Sequence, residues 1–197
     1  AVTAALDGSS AVVEVSTALT GTADSVTYEL VDAEGQVLAT AEGLGTVQLT
    51  ANGITPWTPE TPALYTLRVT VTANGTADTA EQRIGIRTIQ VSSKTGLLLN
   101  GQPRTMKGGC IHHDLGILGA ADHAAAERRR IRLMKESGFD AIRAAHNPFG
   151  PAFLDACDEL GMLVVEEAFD EWVMGRTSFG LHVTFEQCWE KDLEDMI

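Results

Sequence analysis

Over the first 90 residues, apolar and polar positions alternate in short runs. Residues 11–16 read Ala-Val-Val-Glu-Val-Ser, and residues 25–31 read Ser-Val-Thr-Tyr-Glu-Leu-Val. A period of two sends successive side chains to opposite faces of a pleated strand, so each run predicts a strand with one buried face. The same pattern predicts strands over 37–41, 46–49, 64–72 and 78–86. Turn pairs separate them at Asp7-Gly8, Glu34-Gly35, Asn52-Gly53 and Asn74-Gly75. Short strands at this spacing point to an immunoglobulin-like β-sandwich, and the absence of a Cys…Trp…Cys pattern sets it apart from antibody domains.

Beyond residue 88 the period changes. Residues 88–91 and 96–99 read as a strand pair, with Asn100-Gly101 as a hairpin turn. A strand is expected over 104–107, then a Gly/His-rich loop and a helix over 122–137, capped by Asp122 and stopped by Gly138. Strand 140–144, helix 151–160 closed by Gly161, strand 162–165 and helix 183–197 complete the series. Strands alternating with helices, the strands nearly continuous in apolar residues, imply a parallel α/β sheet. The expected domains are therefore 1–88 and 89–197, ending at Ile197.

Composition sharpens that division. Residues 1–100 hold 18 threonines and the remainder three, while every His, Met and Cys lies beyond residue 100. The net charge of −13 on 197 residues argues against nucleic acid or an anionic membrane surface as a partner. No apolar run is long enough to span a bilayer. The cluster Arg128-Arg129-Arg130 with Arg132 reads as the solvated face of a helix, and Asp158-Glu159 as helix surface. Cys110, Cys157 and Cys188 form neither a disulfide framework nor a zinc motif, and Cys157 reads as core filler. They suit a reducing compartment. The start, Ala1-Val2-Thr3, has no basic or apolar leader, so a cytoplasmic setting is expected, and the missing initiator Met suggests an excised piece. Trp57 and Tyr65 are expected in the sandwich core or in packing between domains.

In parallel α/β units, chemistry collects where strands end. Three consecutive strand ends here carry His112, His113 and Asp114; Arg143, His146 and Asn147; and Glu166, Glu167, Asp170, Glu171 and Trp172. Either adjacent histidine could equally be satisfied by backbone carbonyls. Of Glu166 and Glu167, alternation sends one to each side of the sheet, with Glu167 taken as the site-facing member. His112, His113, Asp114, His146, Asp170 and Glu171 could ligate a metal, yet none has the close spacing of a metal motif, so none is assigned.

From Trp57 to Trp172 the chain resembles the family 2 glycoside hydrolases, the β-galactosidase and β-glucuronidase group. The resemblance is carried by Trp57-Thr58-Pro59-Glu60-Thr61-Pro62-Ala63-Leu64-Tyr65, Gly85-Ile86-Arg87 and Leu99-Asn100-Gly101-Gln102-Pro103. Lys107-Gly108, His112-His113-Asp114, Met134-Lys135 and Gly138-Phe139-Asp140-Ala141-Ile142-Arg143 follow. His146-Asn147-Pro148, the segment 154–161 and Glu167-Ala168-Phe169-Asp170-Glu171-Trp172 complete it. The His-His-Asp-Leu-Gly form is similar to the β-galactosidase branch.

The resemblance implies an immunoglobulin-like sandwich followed by the first βα units of an incomplete (β/α)8 TIM barrel. It implies cleavage of terminal β-glycosides with retention, by one acid/base Glu and one nucleophilic Glu. Both follow later strands in the family, so the chain is expected to be an inactive fragment of a retaining exo-β-glycosidase that binds carbohydrate. The sugar-facing or supporting residues it implies are His112, His113, Asp114, Arg143, His146, Asn147, Glu167, Asp170 and Trp172. Arg143 would orient the nucleophile and His146 would bind sugar hydroxyls. Ala144-Ala145 replaces the Thr-Ser common in the family, and Glu166-Glu167 replaces Asp-Glu. Magnesium-dependent members place a His two residues after a Glu; here Val173 stands there after Glu171, so no cofactor is expected. The alternatives are a non-catalytic carbohydrate-binding module built on the sandwich and a metal-dependent barrel hydrolase. Open strand edges in a partial barrel would favour self-association.

Overall fold

The computed structural model describes residues 1–196. They fall into two compact units, Ala1–Thr105 and Met106–Ile197.

The first unit begins with β1 (Val2–Asp7), β2 (Ser10–Ser16), β3 (Ser25–Val31), β4 (Val37–Glu42), β5 (Thr46–Asn52), β6 (Tyr65–Ala73) and β7 (Thr76–Ile84). These pair as two antiparallel sheets, in the orders β1-β2-β5 and β4-β3-β6-β7. The alternation works as expected. Ala11, Val13 and Val15 of β2 and Val26, Tyr28 and Leu30 of β3 are buried, and with Leu49, Ala51, Leu67 and Ile86 they form the sandwich core. Asn74 and Gly75 both hold positive φ (52° and 74°), which a two-residue hairpin turn requires, and they join Ala73 directly to its partner Thr76. β1 was not expected. Its Val-Thr-Ala-Ala-Leu-Asp sequence is poor in strand formers and is held as an edge by pairing with β2.

A small antiparallel sheet follows, with β8 (Ile89–Ser92), β9 (Gly96–Leu99) and β10 (Gln102–Pro103) in the order β10-β9-β8. Trp57 is buried where β7 leads into it. Its N–H donates to the Ile86 carbonyl at 2.8 Å, and the Arg87 guanidinium lies 4.5 Å from its ring centroid. Asn100 Nδ2 donates to the Trp57 carbonyl at 3.1 Å, while its Oδ1 accepts from the Thr88 N–H at 2.9 Å. The Trp-Thr-Pro segment is thereby tied to the linker.

The second unit runs β11 (Gly108–Ile111), α1 (Ala124–Glu136), β12 (Ala141–Ala144), α2 (Pro151–Leu160), β13 (Leu163–Glu166) and α3 (Phe185–Met196). Its strands are parallel in the order β11-β12-β13, the start of a (β/α)8 barrel. Ile142 and Ala144 of β12 pack with Ile131 of α1 and with Phe153, Ala156 and Cys157 of α2. Burial among these groups pushes the Cys157 thiol up, in keeping with core filler.

Four local expectations are corrected. The first barrel strand lies at Gly108–Ile111, not 104–107. Lys107 N–H is taken by Asp140 Oδ1 at 2.6 Å, and the Gly-Gly start of β11 fits closely against Ala141, where a Cβ on Gly108 would stand 2.5 Å from the carbonyl oxygen. Asp122 does not cap α1. His123 is the N-cap residue, without a side-chain bond, and the Asp122 carboxylate lies against Gly150 instead. The helix expected over 183–197 begins only at Phe185, after a separate 3-10 turn, Leu181–Val183, and Ile197 lies outside the described residues. Finally, Arg130 turns inward onto Glu127, so the arginine cluster is not uniformly solvated. Among the described residues, no helix is long and apolar enough to cross a membrane.

Candidate functional site

Strand alternation selects the side chains of the site. Cys110, Arg143 and Val165 are register partners on neighbouring strands. All three are exposed while Ile142 and Ala144 point into the helix-packed core. Glu167, two residues beyond Val165, continues the same face.

Arg143 Nε donates to Glu167 Oε1 at 2.5 Å, and His146 Nδ1 is 3.0 Å from Glu167 Oε2. The Arg143 hydrogen bond, followed by the one from His146, holds the Glu167 carboxyl below its usual value despite partial burial. An ionised carboxylate can only accept, so this contact assigns a proton to His146 Nδ1. The 3.4 Å approach of Arg143 Nη2 to Nδ1 is then a contact between donors. Arg143 Nη1 lies 3.4 Å from Cys110 Sγ, and the His112 ring stands 5.1 Å from that of His146. The Ala145–His146 peptide is cis. Asp170 Oδ1 is 3.7 Å from His146 Nδ1 and is paired with Arg176.

Glu166 serves the adjacent loop. Its Oε1 accepts the Phe149 N–H at 2.5 Å, its buried Oε2 has no hydrogen-bond partner among the described residues, and burial raises its carboxyl above the usual value. Glu171 is buried, with Oε2 2.9 Å from His182 Nδ1 and Oε1 accepting the Arg176 N–H at 2.9 Å. Those bonds, His182 first, hold its carboxyl below the usual value. They also fold the segment after β13 back on itself beside an aromatic row. Trp172 stacks on Phe185 at 5.9 Å between centroids, and Phe185 on Trp189 at 6.4 Å. This row walls a cleft of about 580 Å³ whose polar lining includes Arg143, His146, Glu167 and Asp170. Hydroxyl partners beside an aromatic face suit a ring with polar edges and apolar C–H faces.

The structure thus brings Arg143, His146, Glu167, Asp170 and Trp172 to one cleft, with His112 adjoining through the His146 ring. His113 stacks on Phe149 at 4.0 Å and its Nε2 meets the Pro148 carbonyl at 3.2 Å. Asp114 faces Arg130, and Asn147 is exposed; neither lines the cleft. Sequence reasoning missed Cys110, Arg176 and the α3 aromatics. Cys110 was hidden by the misplaced strand. Phe185, Trp189 and Leu193 do recur at i, i+4, i+8, a stripe that was available to read. Arg176 carries no local pattern.

The magnesium of some related enzymes does not fit here. Glu171, the residue that the resemblance sets beside it, already has both oxygens engaged by Arg176 and His182. Among the described residues, no three His, Cys, Asp or Glu side chains converge with ligand spacing.

Comparison with known proteins shows the family and the fold. The profile of the glycosyl hydrolases family 2 matches residues 1–87, and that of the family 2 TIM barrel domain matches residues 89–193. The chain belongs to glycosyl hydrolase family 2. A β-galactosidase of Bacteroides ovatus is 36% identical across 99% of this chain, which spans 25% of that relative's length. The crystal structure of a β-glycosidase from Bacteroides vulgatus superposes with a TM-score of 0.91 at 30% identity, covering 100% of this chain and 27% of that one. A β-glucuronidase of Ruminococcus gnavus, crystallised with uronic isofagomine, has a TM-score of 0.79 at 29% identity, covering 85% of this chain and 28% of its own. The chain therefore spans about a quarter of the length of these family 2 relatives.

Proposed function

We propose that this chain supplies the sugar-facing shell of a retaining β-glycosidase that acts on terminal β-glycosides, β-galactosides foremost. The observation that carries the reading is the Glu167 carboxyl held between Arg143 and His146 at two adjacent strand ends beside an aromatic wall. Arg143 and His146 would hydrogen-bond sugar hydroxyls and the incoming nucleophile carboxylate. The β-galactosidase relative supports the sugar class.

Retention needs two carboxyl groups about 5–5.5 Å apart, one of them with a raised pKa to protonate the leaving oxygen. Within the cleft Glu167 is held ionised and Asp170 is paired with Arg176, while Glu166 is bonded to the Phe149 N–H. Arginines thus engage Glu167 and Asp170, and the second oxygen of Glu166 is buried away from solvent. The family resemblance implies that both catalytic carboxyls follow strands later than the three present here, and the isolated chain is expected to be inactive.

The test is hydrolysis of aryl β-galactosides and β-glucuronides by the protein as encoded and by the 197-residue chain, with the product anomer read by NMR. Turnover with retention by the first and none by the second is expected. Inversion, or turnover by the chain that disappears in His146→Ala, contradicts the proposal. Sugar binding by the encoded protein without turnover would favour a non-catalytic module.

A further inference from the structure

We propose that Arg130, on α1, is a positioning residue that holds together the two loops bearing His112 and His146; the catalytic consequence rests on the sugar-site reading above. Arg130 and Glu127 lie one turn apart, with side chains 15% and 5% exposed. Arg130 Nη2 donates to Glu127 Oε1 at 2.8 Å and to Oε2 at 2.7 Å, and Nε donates to Oε2 at 3.1 Å. These bonds fix the plane of the guanidinium and leave Nη1 pointing elsewhere.

Nη1 donates to the His112 carbonyl at 3.1 Å, lies 3.5 Å from the Asp114 carbonyl, and is 3.6 Å from Asp114 Oδ1. One group therefore gathers the loop after β11. The same guanidinium stands 5.6 Å from the Phe149 ring centroid and 5.9 Å from that of Phe153. Phe149 belongs to the loop after β12. It stacks on His113, whose Nε2 meets the Pro148 carbonyl, and its N–H is held by Glu166. His112 and Asp114 of one loop and Phe149 of the other thus converge on one planar cation.

The chemistry favours arginine specifically. Only a guanidinium can engage a carboxylate in its plane, keep a spare N–H for a carbonyl and present its face to an aromatic ring. A buried ion pair is a weak stabiliser, often replaceable by apolar residues of similar volume without loss. What Arg130 adds beyond the pair is the tether to two loops, and displacement of site residues by about 1 Å can cost up to about a hundredfold in rate.

The experiment replaces the pair by Glu127→Leu/Arg130→Met in the protein as encoded and makes Arg130→Lys alongside it. It measures the melting temperature, kcat/KM on an aryl β-glycoside and amide exchange across 111–115, 145–149 and α2. The expected result for the double variant is near-normal melting with at least about a tenfold fall in kcat/KM. Exchange should quicken by about tenfold or more in both loop segments and stay unchanged in α2. Arg130→Lys should move both readings the same way, and it decides the matter if the double variant fails to fold. Unchanged loop exchange overturns the tether, and a lowered melting temperature with normal kcat/KM overturns the positioning role. If the unsubstituted protein hydrolyses no β-glycoside, the sugar-site reading fails by itself, and loop exchange still decides whether Arg130 tethers the two loops.

Discussion

Glu166 and Glu167 are neighbours in the chain, and the fold shifts them in opposite directions. Hydrogen bonds from Arg143 and then His146 lower Glu167, while burial raises Glu166. A lowered carboxyl contributes stability that is full above its unfolded value of about 4 and is lost as pH falls through the folded value. A raised one works the other way: its contribution is present below about 4 and is lost as pH rises through the folded value. Glu166→Gln keeps an oxygen for the Phe149 N–H but removes the ionisation. It should raise the melting temperature at pH 7 and leave it little changed near pH 3, whereas Glu167→Gln should lower it at pH 7 and matter less near pH 3. Thermal scans at the two pH values check this, and equal shifts at both would contradict the burial account. The opposite fates of the two residues were legible only in part. Alternation said that they diverge, but which contacts each would find depended on the Phe149 loop and on Arg143, both distant in sequence.

Among the elements, β11 has no room for a side chain at its first residue. A Cβ on Gly108 would stand 2.5 Å from the Ala141 carbonyl oxygen and 2.9 Å from its carbon, whereas one on Gly109 would meet only Phe139 at 3.9 Å. Backbone cannot move aside as a side chain can, and overpacking of this kind costs about 1–3 kcal/mol. Gly108→Ala should therefore weaken the β11–β12 pairing and lower the urea midpoint of the second unit, while Gly109→Ala should not. Equal effects would contradict the close approach. The same glycines explain why this strand was not read from the sequence. Gly-Gly-Cys-Ile has neither β-branched density nor alternation, and only pairing with β12 makes it a strand. Sandwich strands such as β3 were legible because their own residues carry the period. Asn74-Gly75 and Asn100-Gly101 were legible because their turns need residues that tolerate positive φ.

For the whole molecule, the two units differ in how they meet solvent. The first closes its apolar faces between two sheets. The second carries Trp172 at 65%, Met174 at 86% and Phe179 at 97% exposure, and its sheet has open edges at β11 and β13. Exposed aromatics and unpaired parallel edges favour association. Limited proteolysis of the 197-residue chain should cut first beyond Gly108 and leave a resistant core near residues 1–90, with light scattering showing species larger than a monomer. A strict monomer with both units equally protected would contradict this. The βα order of the second unit was visible in the sequence. The polar side of the cleft was visible too, at the strand ends, but its aromatic wall draws on α3, which follows β13 by about 20 residues and β12 by about 40.

The central claim is that Arg143 and His146 face the sugar rather than merely pack. It is tested most directly by kcat/KM for an aryl β-galactoside in the protein as encoded, measured for Arg143→Ala and His146→Ala beside the unsubstituted protein. Both side chains are partly exposed, at 48% and 31%, so removing them leaves no large cavity, and the melting temperature should fall no further than it does in Glu167→Gln, which loses the same hydrogen bonds. Loss of hydrogen bonds that strengthen in the transition state should lower kcat/KM by about tenfold or more in each variant. Near-normal kinetics in both, with the fold intact, would mean that the Arg143–Glu167–His146 cluster is structural and that the sugar site lies elsewhere.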